Sequence, residues 1–204
     1  MAIINQTTTE LQIKIVYYGP AMSGKTTNMV KLHEALETGA GDKGKLISLS
    51  TSSDRTLFFD FFPMEPRSVK GFRTRFQLYA VPGPVTYNTT LQLVLRGVDG
   101  VVFVADSAKE KMAANLKSFQ NLMENLTSLT LNLNDVPYVL QYNKRDLSNA
   151  TPLEQMEALL NNRDFKVPSF PGIATKCSGV LEPLNQLKQM LLHKFGETLQ
   201  LNSM

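Results

Sequence analysis

The stretch Val16 to Thr27, read as V-Y-Y-G-P-A-M-S-G-K-T-T, constrains this chain more than any other. Gly19 and Gly24 bracket four residues, and Lys25 and Thr26 follow at once, which satisfies G-x-x-x-x-G-K-[ST]. Upstream, Ile13, Ile15 and Tyr17 alternate with Lys14 and Val16, the pattern of a short strand. Downstream, Met29, Leu32, His33 and Leu36 recur at helical spacing. A glycine turn between a strand and a helix lets backbone N–H groups approach phosphate oxygens with no Cβ in the way, and the helix N-terminus adds partial positive charge. Lys25 is then placed to bridge the β- and γ-phosphates of a nucleotide, and the Thr26 hydroxyl to ligate Mg²⁺. Ala21, Met22, Ser23 and Thr27 complete the candidate phosphate-binding set. The plainer alternative is a turn with an exposed lysine; the strand–turn–helix context argues against it.

Composition narrows the setting. The 204 residues, 43% hydrophobic and 19% charged, describe an ordinary soluble domain spanning 1–204. A net charge of +3, spread along the chain, does not argue for nucleic acid. No apolar run has the length of a membrane span, and the start M-A-I-I-N-Q-T-T-T-E lacks a secretory pattern. There is no second-position glycine and no terminal cysteine box, so no direct membrane anchor is expected. The single cysteine, Cys177, cannot close an internal disulfide, which suits a cytoplasmic protein.

The pattern predicts strands over Lys45 to Ser50 and from Arg55 through an aromatic run, Leu57, Phe58, Phe59, Phe61 and Phe62. That run is either a strand buried on both faces or a state-dependent patch for a protein partner. A further strand, Gly71 to Val81, sets Phe72, Thr74, Phe76, Leu78 and Ala80 on one face, and the Pro63–Pro66 turn makes it antiparallel to its predecessor. From Val98 onward, apolar strands at 98–105 and 138–142 and a short one ending at Ile173 alternate with helices. The first of these helices is expected to bury Met112, Leu116, Phe119, Met123 and Leu126, and the last Leu184, Leu187, Leu191 and Phe195. The expected fold is α/β: a mostly parallel central sheet with one antiparallel strand, helices on both faces, and ligand at the strand C-termini.

Asn143-Lys144-Arg145-Asp146 directly follows the strand 138–142. A carboxylate there can accept from guanine N1–H and N2–H₂ together, whereas adenine would leave it unpaired; such bidentate contacts discriminate by roughly 1–3 kcal/mol. Asn143 can donate to the base N7 and tether the loop, and the Lys144 stem can pack along the phosphate loop and the base. Ala174, Thr175 and Lys176, after the next strand, could offer backbone N–H groups to the base carbonyl.

With both motifs in place the chain resembles the Ras-like small GTPases, in particular their bacterial MglA-type branch. The most specific shared pieces are I-V-Y-Y-G-P-x-x-S-G-K-T-T, R-T-L-F-F-D-F, V-P-G, L-R-G-V-D-G-V-V-F-V-A-D-S and N-K-R-D. The resemblance implies a Ras-like P-loop G domain that binds GTP or GDP with Mg²⁺ and switches partners in cell polarity or motility. It also implies polarity or motility effectors, a roadblock-fold activator and recruitment to a cell pole. By position it makes Arg55 a catalytic finger and Thr56 a metal ligand in the first switch, with Gly83 contacting nucleotide in the second.

Three positions depart from that pattern. Ala80 stands where small GTPases usually carry a metal-holding aspartate, with Asp54 or Asp60 as conceivable substitutes. Pro84 stands where the family's water-orienting glutamine belongs, and proline has no side-chain donor or acceptor. Ala21 replaces a loop glycine and can crowd the γ-phosphate. Arg55 pulls the other way, since an arginine finger can raise the rate by roughly 10³ to 10⁵. The expectation is GTP binding with slow or partner-dependent hydrolysis, against a hydrolysis-deficient, GTP-loaded scaffold. Asp106, ending V-V-F-V-A-D, is expected to cap the following helix; the competing role is a metal carboxylate.

Overall fold

A computed structural model describes residues 3–5, 9–37, 47–50, 55–61, 71–81, 88–163 and 165–201. Residues 38–46, 51–54, 62–70 and 82–87, with Asp54, Phe62, Gly83 and Pro84 among them, lie outside the described residues.

The strands are β1 (Ile3–Asn5), β2 (Glu10–Tyr18), β3 (Ile47–Ser50), β4 (Arg55–Phe61), β5 (Arg73–Ala80), β6 (Gly100–Asp106), β7 (Tyr138–Asn143) and β8 (Ser169–Pro171). They form one sheet in the order β3-β4-β5-β2-β6-β7-β8, with β1 beside the start of β2. Strands β5, β2, β6, β7 and β8 run parallel. The expected antiparallel strand is β4, which opposes both β3 and β5, and the short β1 adds a second against β2. In β4 the backbone register sets Leu57, Phe59 and Phe61 opposite Ala80, Leu78 and Phe76.

The helices are α1 (Lys25–Glu37), α2 (Asn88–Leu95), α3 (Met112–Ser128), α4 (Leu153–Leu160) and α5 (Leu181–Leu201). The period-2 geometry of a strand divides its side chains between two layers. Ile13, Ile15, Tyr17, Phe76, Leu78, Val102, Val104 and Val139 pack with α1 and α5, whereas Val16, Tyr18, Val101, Phe103, Leu140 and Tyr142 pack with α2, α3 and α4. Every residue of β6 is buried, which is why the run reads as continuously apolar rather than alternating.

Two expectations change. The buried face of α3 comprises Asn115, Ser118, Phe119, Asn121, Leu122, Asn125 and Leu126, while Leu116 is 39% exposed. Phe119 and Leu126 are buried as expected and Met112 and Met123 pack against the same core, but asparagines share this face because each has a partner: Asn115 clasps the Asp106 backbone N–H and C=O, and Asn121 and Asn125 meet Tyr18. The last strand ends at Pro171 rather than Ile173, which instead bridges to Ser178.

Because five strands run parallel, their C-terminal ends meet at one edge, and the loops after Tyr18, Asp106, Asn143 and Pro171 gather there. The chain leaves β2 to build β5 on one side and β6 on the other, so the crevice over β2 is the switch point where α/β sheets take ligands.

Candidate functional site

The loop between β2 and α1 is shaped by close approach. Gly19 has φ +143°, and a Cβ there would lie 2.2 Å from the Val104 carbonyl oxygen. Gly24 has φ +103°, and a Cβ there would lie 2.1 Å from Asn143 Nδ2. At Gly19 the obstacle is strand backbone, so the loop itself would have to move, whereas at Gly24 it is the Asn143 side chain, which would be pushed off its partners. Met22 also adopts a left-handed conformation, φ 60°, and stands 83% exposed at the mouth of the site.

Lys25 opens α1 and is only 5% exposed. Its ammonium donates to the Gly19 carbonyl at 2.8 Å and the Pro20 carbonyl at 2.6 Å. Burial lowers its pKa from the ordinary 10.5 to about 7, so a dianionic neighbour would strongly favour the charged form. Thr26 is exposed, Thr27 half-buried and Ala21 exposed.

At the end of β7, Asn143 is 2% exposed and spans two loops. Its Nδ2 donates to the Ser23 carbonyl at 2.8 Å, and its Oδ1 accepts from the Ala174 N–H at 2.9 Å. Lys144, with φ 65°, pairs with Asp106 at 2.6 Å. The other Asp106 oxygen accepts from the Ala108 N–H at 3.1 Å. Asp106 therefore does not cap α3, whose first turn is preceded by Lys111 with no side-chain cap; it anchors Lys144 instead. Asp146 is exposed.

These pieces enclose one cavity of about 250 Å³, lined by Met22, Gly24 and Thr27 of the loop, by Asn143, Lys144, Asp146 and Leu147, and by Ile173, Ala174 and Thr175. Of the expected nucleotide-binding residues among those described, Gly19, Ala21, Ser23, Lys25, Thr26 and Lys176 do not line it. The short 3-10 turn Ala174–Lys176 also commits two of the three amides expected to face a base: Ala174 N–H to Asn143 Oδ1, and Lys176 N–H to the Ile173 carbonyl at 2.9 Å. A larger cavity, at the opposite end of β7 beside Pro137, Arg163 and Phe165, contains none of the candidate residues.

Arg55 and Thr56 open β4, their backbones paired with Ser50 and Leu49. Asp60 pairs in register with Gln77, farther down the same strand. Among the described residues no group of three or more His, Cys, Asp and Glu side chains could hold a metal ion.

Two buried residues were not foreseen. Asn28 donates to the Gly24 carbonyl at 3.0 Å and accepts from Gln141 at 2.8 Å. Gln141 also donates to the Gly179 carbonyl. The available signal was a lone amide inside an otherwise apolar parallel strand.

Residues 62–191 match the ADP-ribosylation factor family. Over 192 residues, 94% of this chain and 96% of the relative, the sequence is 50% identical to the mutual gliding-motility protein MglA of Myxococcus xanthus (strain DK1622). An alignment of that length takes in the phosphate loop, which the family match leaves out. The chain belongs to the ADP-ribosylation factor family of Ras-like small GTPases.

Proposed function

We propose that the protein is a GTP- and GDP-binding switch of the MglA kind, acting in bacterial gliding motility or cell polarity. The observation that carries this reading is the meeting of the glycine loop and the N-K-R-D segment in one cavity. The half-identity to MglA over almost the whole chain supplies the biological setting.

In this reading the loop amides and Lys25 hold the polyphosphate, and Asp146 reads the N1–H and N2–H₂ edge of guanine. Asn143 keeps both loops in place. Thr26, exposed at the start of α1, has the hard oxygen donor that Mg²⁺ accepts beside phosphate oxygens, and Thr56 is the second candidate. Bound there, the metal would neutralise phosphate charge. Motility effectors and a roadblock-fold activator are the partners this reading calls for.

Calorimetric titration with GTP and with ATP, magnesium present, tests the assignment. Tight binding of GTP with no competition from ATP is expected; equal affinity, or no heat with either, overturns it.

Hydrolysis is slow in this reading because Pro84 cannot orient water, with Arg55 as the catalytic charge. The same residue supports a second reading, a loaded scaffold that never turns over; turnover with and without cell extract separates the two. Single-turnover assays on Pro84→Gln should show a faster reaction, and an unchanged or slower one sinks the water-positioning account.

A further inference from the structure

Asn143 does not hold the site alone. Val139, Gln141 and Asn143 alternate along β7 and project to the same layer, with α1 and α5. Asn143 reaches Ser23 in one direction and Ala174 in the other. Gln141, fully buried, repeats the arrangement one step down the strand. One Nε2 proton goes to Asn28 Oδ1 at 2.8 Å and the other to the Gly179 carbonyl. Asn28, also fully buried, passes the contact on to the Gly24 carbonyl at 3.0 Å, the same carbonyl that its backbone N–H reaches at 2.9 Å.

The loop between β8 and α5 is therefore gripped at both ends by β7: at Ala174 by Asn143 and at Gly179 by Gln141. Its far end has no slack, since Gly179 has φ +64° and a Cβ there would lie 2.1 Å from the Pro171 carbonyl oxygen. The phosphate loop is gripped twice as well, at Ser23 and at Gly24. A Gln side chain has one orientation that donates to both acceptors, so the relay also sets the direction of the Asn28 amide, leaving its nitrogen for Gly24.

We infer that Gln141 and Asn28 are positioning residues that tie the phosphate loop and the purine loop into one unit that orders together, so that contacts to the polyphosphate and contacts to the base strengthen each other. The inference rests on the guanine-nucleotide reading of the site. Two loops that move independently contribute to binding independently, whereas loops held in one frame let the first contact prepay the ordering of the second.

The test uses four ligands, GDP, GMP, IDP and IMP, where the inosine forms lack only the exocyclic amine. Dissociation constants give a quotient, the IDP/GDP ratio divided by the IMP/GMP ratio, which equals one when base and phosphate contacts are independent. In the native protein the quotient should be about 10, within the usual range of coupling between sites. In Gln141→Met, which keeps the length and removes the donors, it should fall toward one. Asn28→Leu, which removes both the bond from Gln141 and the bond to Gly24 and leaves Gln141 on Gly179, should do the same and serves if Gln141→Met does not fold. A purely structural role would weaken all four ligands alike and leave the quotient unchanged. That result, or a native quotient of one with tight GDP binding, overturns the inference while leaving the nucleotide reading intact; failure of the native protein to bind GDP removes both.

Discussion

Both faces of the central sheet bury asparagine, and they use it differently. On the α1–α5 face, the amides of Asn143, Asn28 and Gln141 end on backbone atoms of two loops: Ser23 and Gly24 in one, Ala174 and Gly179 in the other. On the α2–α4 face, the Tyr18 hydroxyl donates to Asn121 at 2.6 Å, and Asn125 donates to Asn121 at 3.0 Å, which ties β2 to α3. Burial pushes the Tyr18 phenol up to about 12, so it stays a neutral donor. Buried amides that grip loop backbone shape a surface, while those that bond a strand, as Asn121 and Asn125 do at Tyr18 and Asn115 at Asp106, set how a helix sits. The first kind should be visible in ligand binding and the second only in stability.

The largest expected effect lies just outside both networks. Asp146 is exposed and makes none of these bonds, so Asp146→Asn should leave thermal stability unchanged while lowering GDP affinity by about 10² or more and favouring xanthosine nucleotides. Retained guanine preference would show that another group reads the base. Asn143→Ala should damage both properties, because it strands the Ser23 carbonyl and the Ala174 N–H together. A stability loss of about 2–4 kcal/mol by denaturant titration is expected, with a tenfold or greater fall in GDP affinity. A stability loss with unaltered affinity would erase the distinction between the two faces.

Lys25 adds a pH dependence. Its folded-state value, about 7, is lowered by burial from 10.5, so between those values the unfolded chain binds more protons than the folded one. Stability of the nucleotide-free protein should therefore rise across that window. Phosphate binding runs the opposite way, since it requires the ammonium. Affinity should fall by up to about tenfold per pH unit above 7, with uptake of close to one proton near pH 8. Calorimetry in two buffers of different ionisation enthalpy measures the uptake, and none detected would mean that Lys25 is charged throughout.

Tyr18→Phe should have the smallest effect: about 1 kcal/mol of stability, with GDP affinity unchanged within about twofold. A clear loss of affinity would mean that the α3 network, one residue before Gly19, also shapes the phosphate loop.

The phosphate loop was legible because its requirements are local. Gly19, Gly24, Lys25 and Thr26 need only a strand before them and a helix after them, and periodicity supplies both. N-K-R-D became informative for the same reason, once an apolar strand was read in front of it. The buried asparagines of α3 were missed because hydrophobic spacing cannot register an asparagine whose partner lies far away in the chain, and Asn125 bonds Tyr18 across 107 positions. Asp106 was read as a helix cap from its place at a strand end, whereas its role comes from Lys144, 38 residues away.

From residues alone came the chemistry on offer: amides and an ammonium suited to phosphate, and a carboxylate suited to guanine. These follow from side-chain identity and short-range geometry, which the order of residues specifies directly. Only the folded chain decided that Gly24 must lack a Cβ because Asn143 stands 2.1 Å from where it would be, and that Gln141 and Asn28 belong to the site. Those facts depend on which backbones the parallel strands bring within hydrogen-bonding distance, and long-range packing alone determines that.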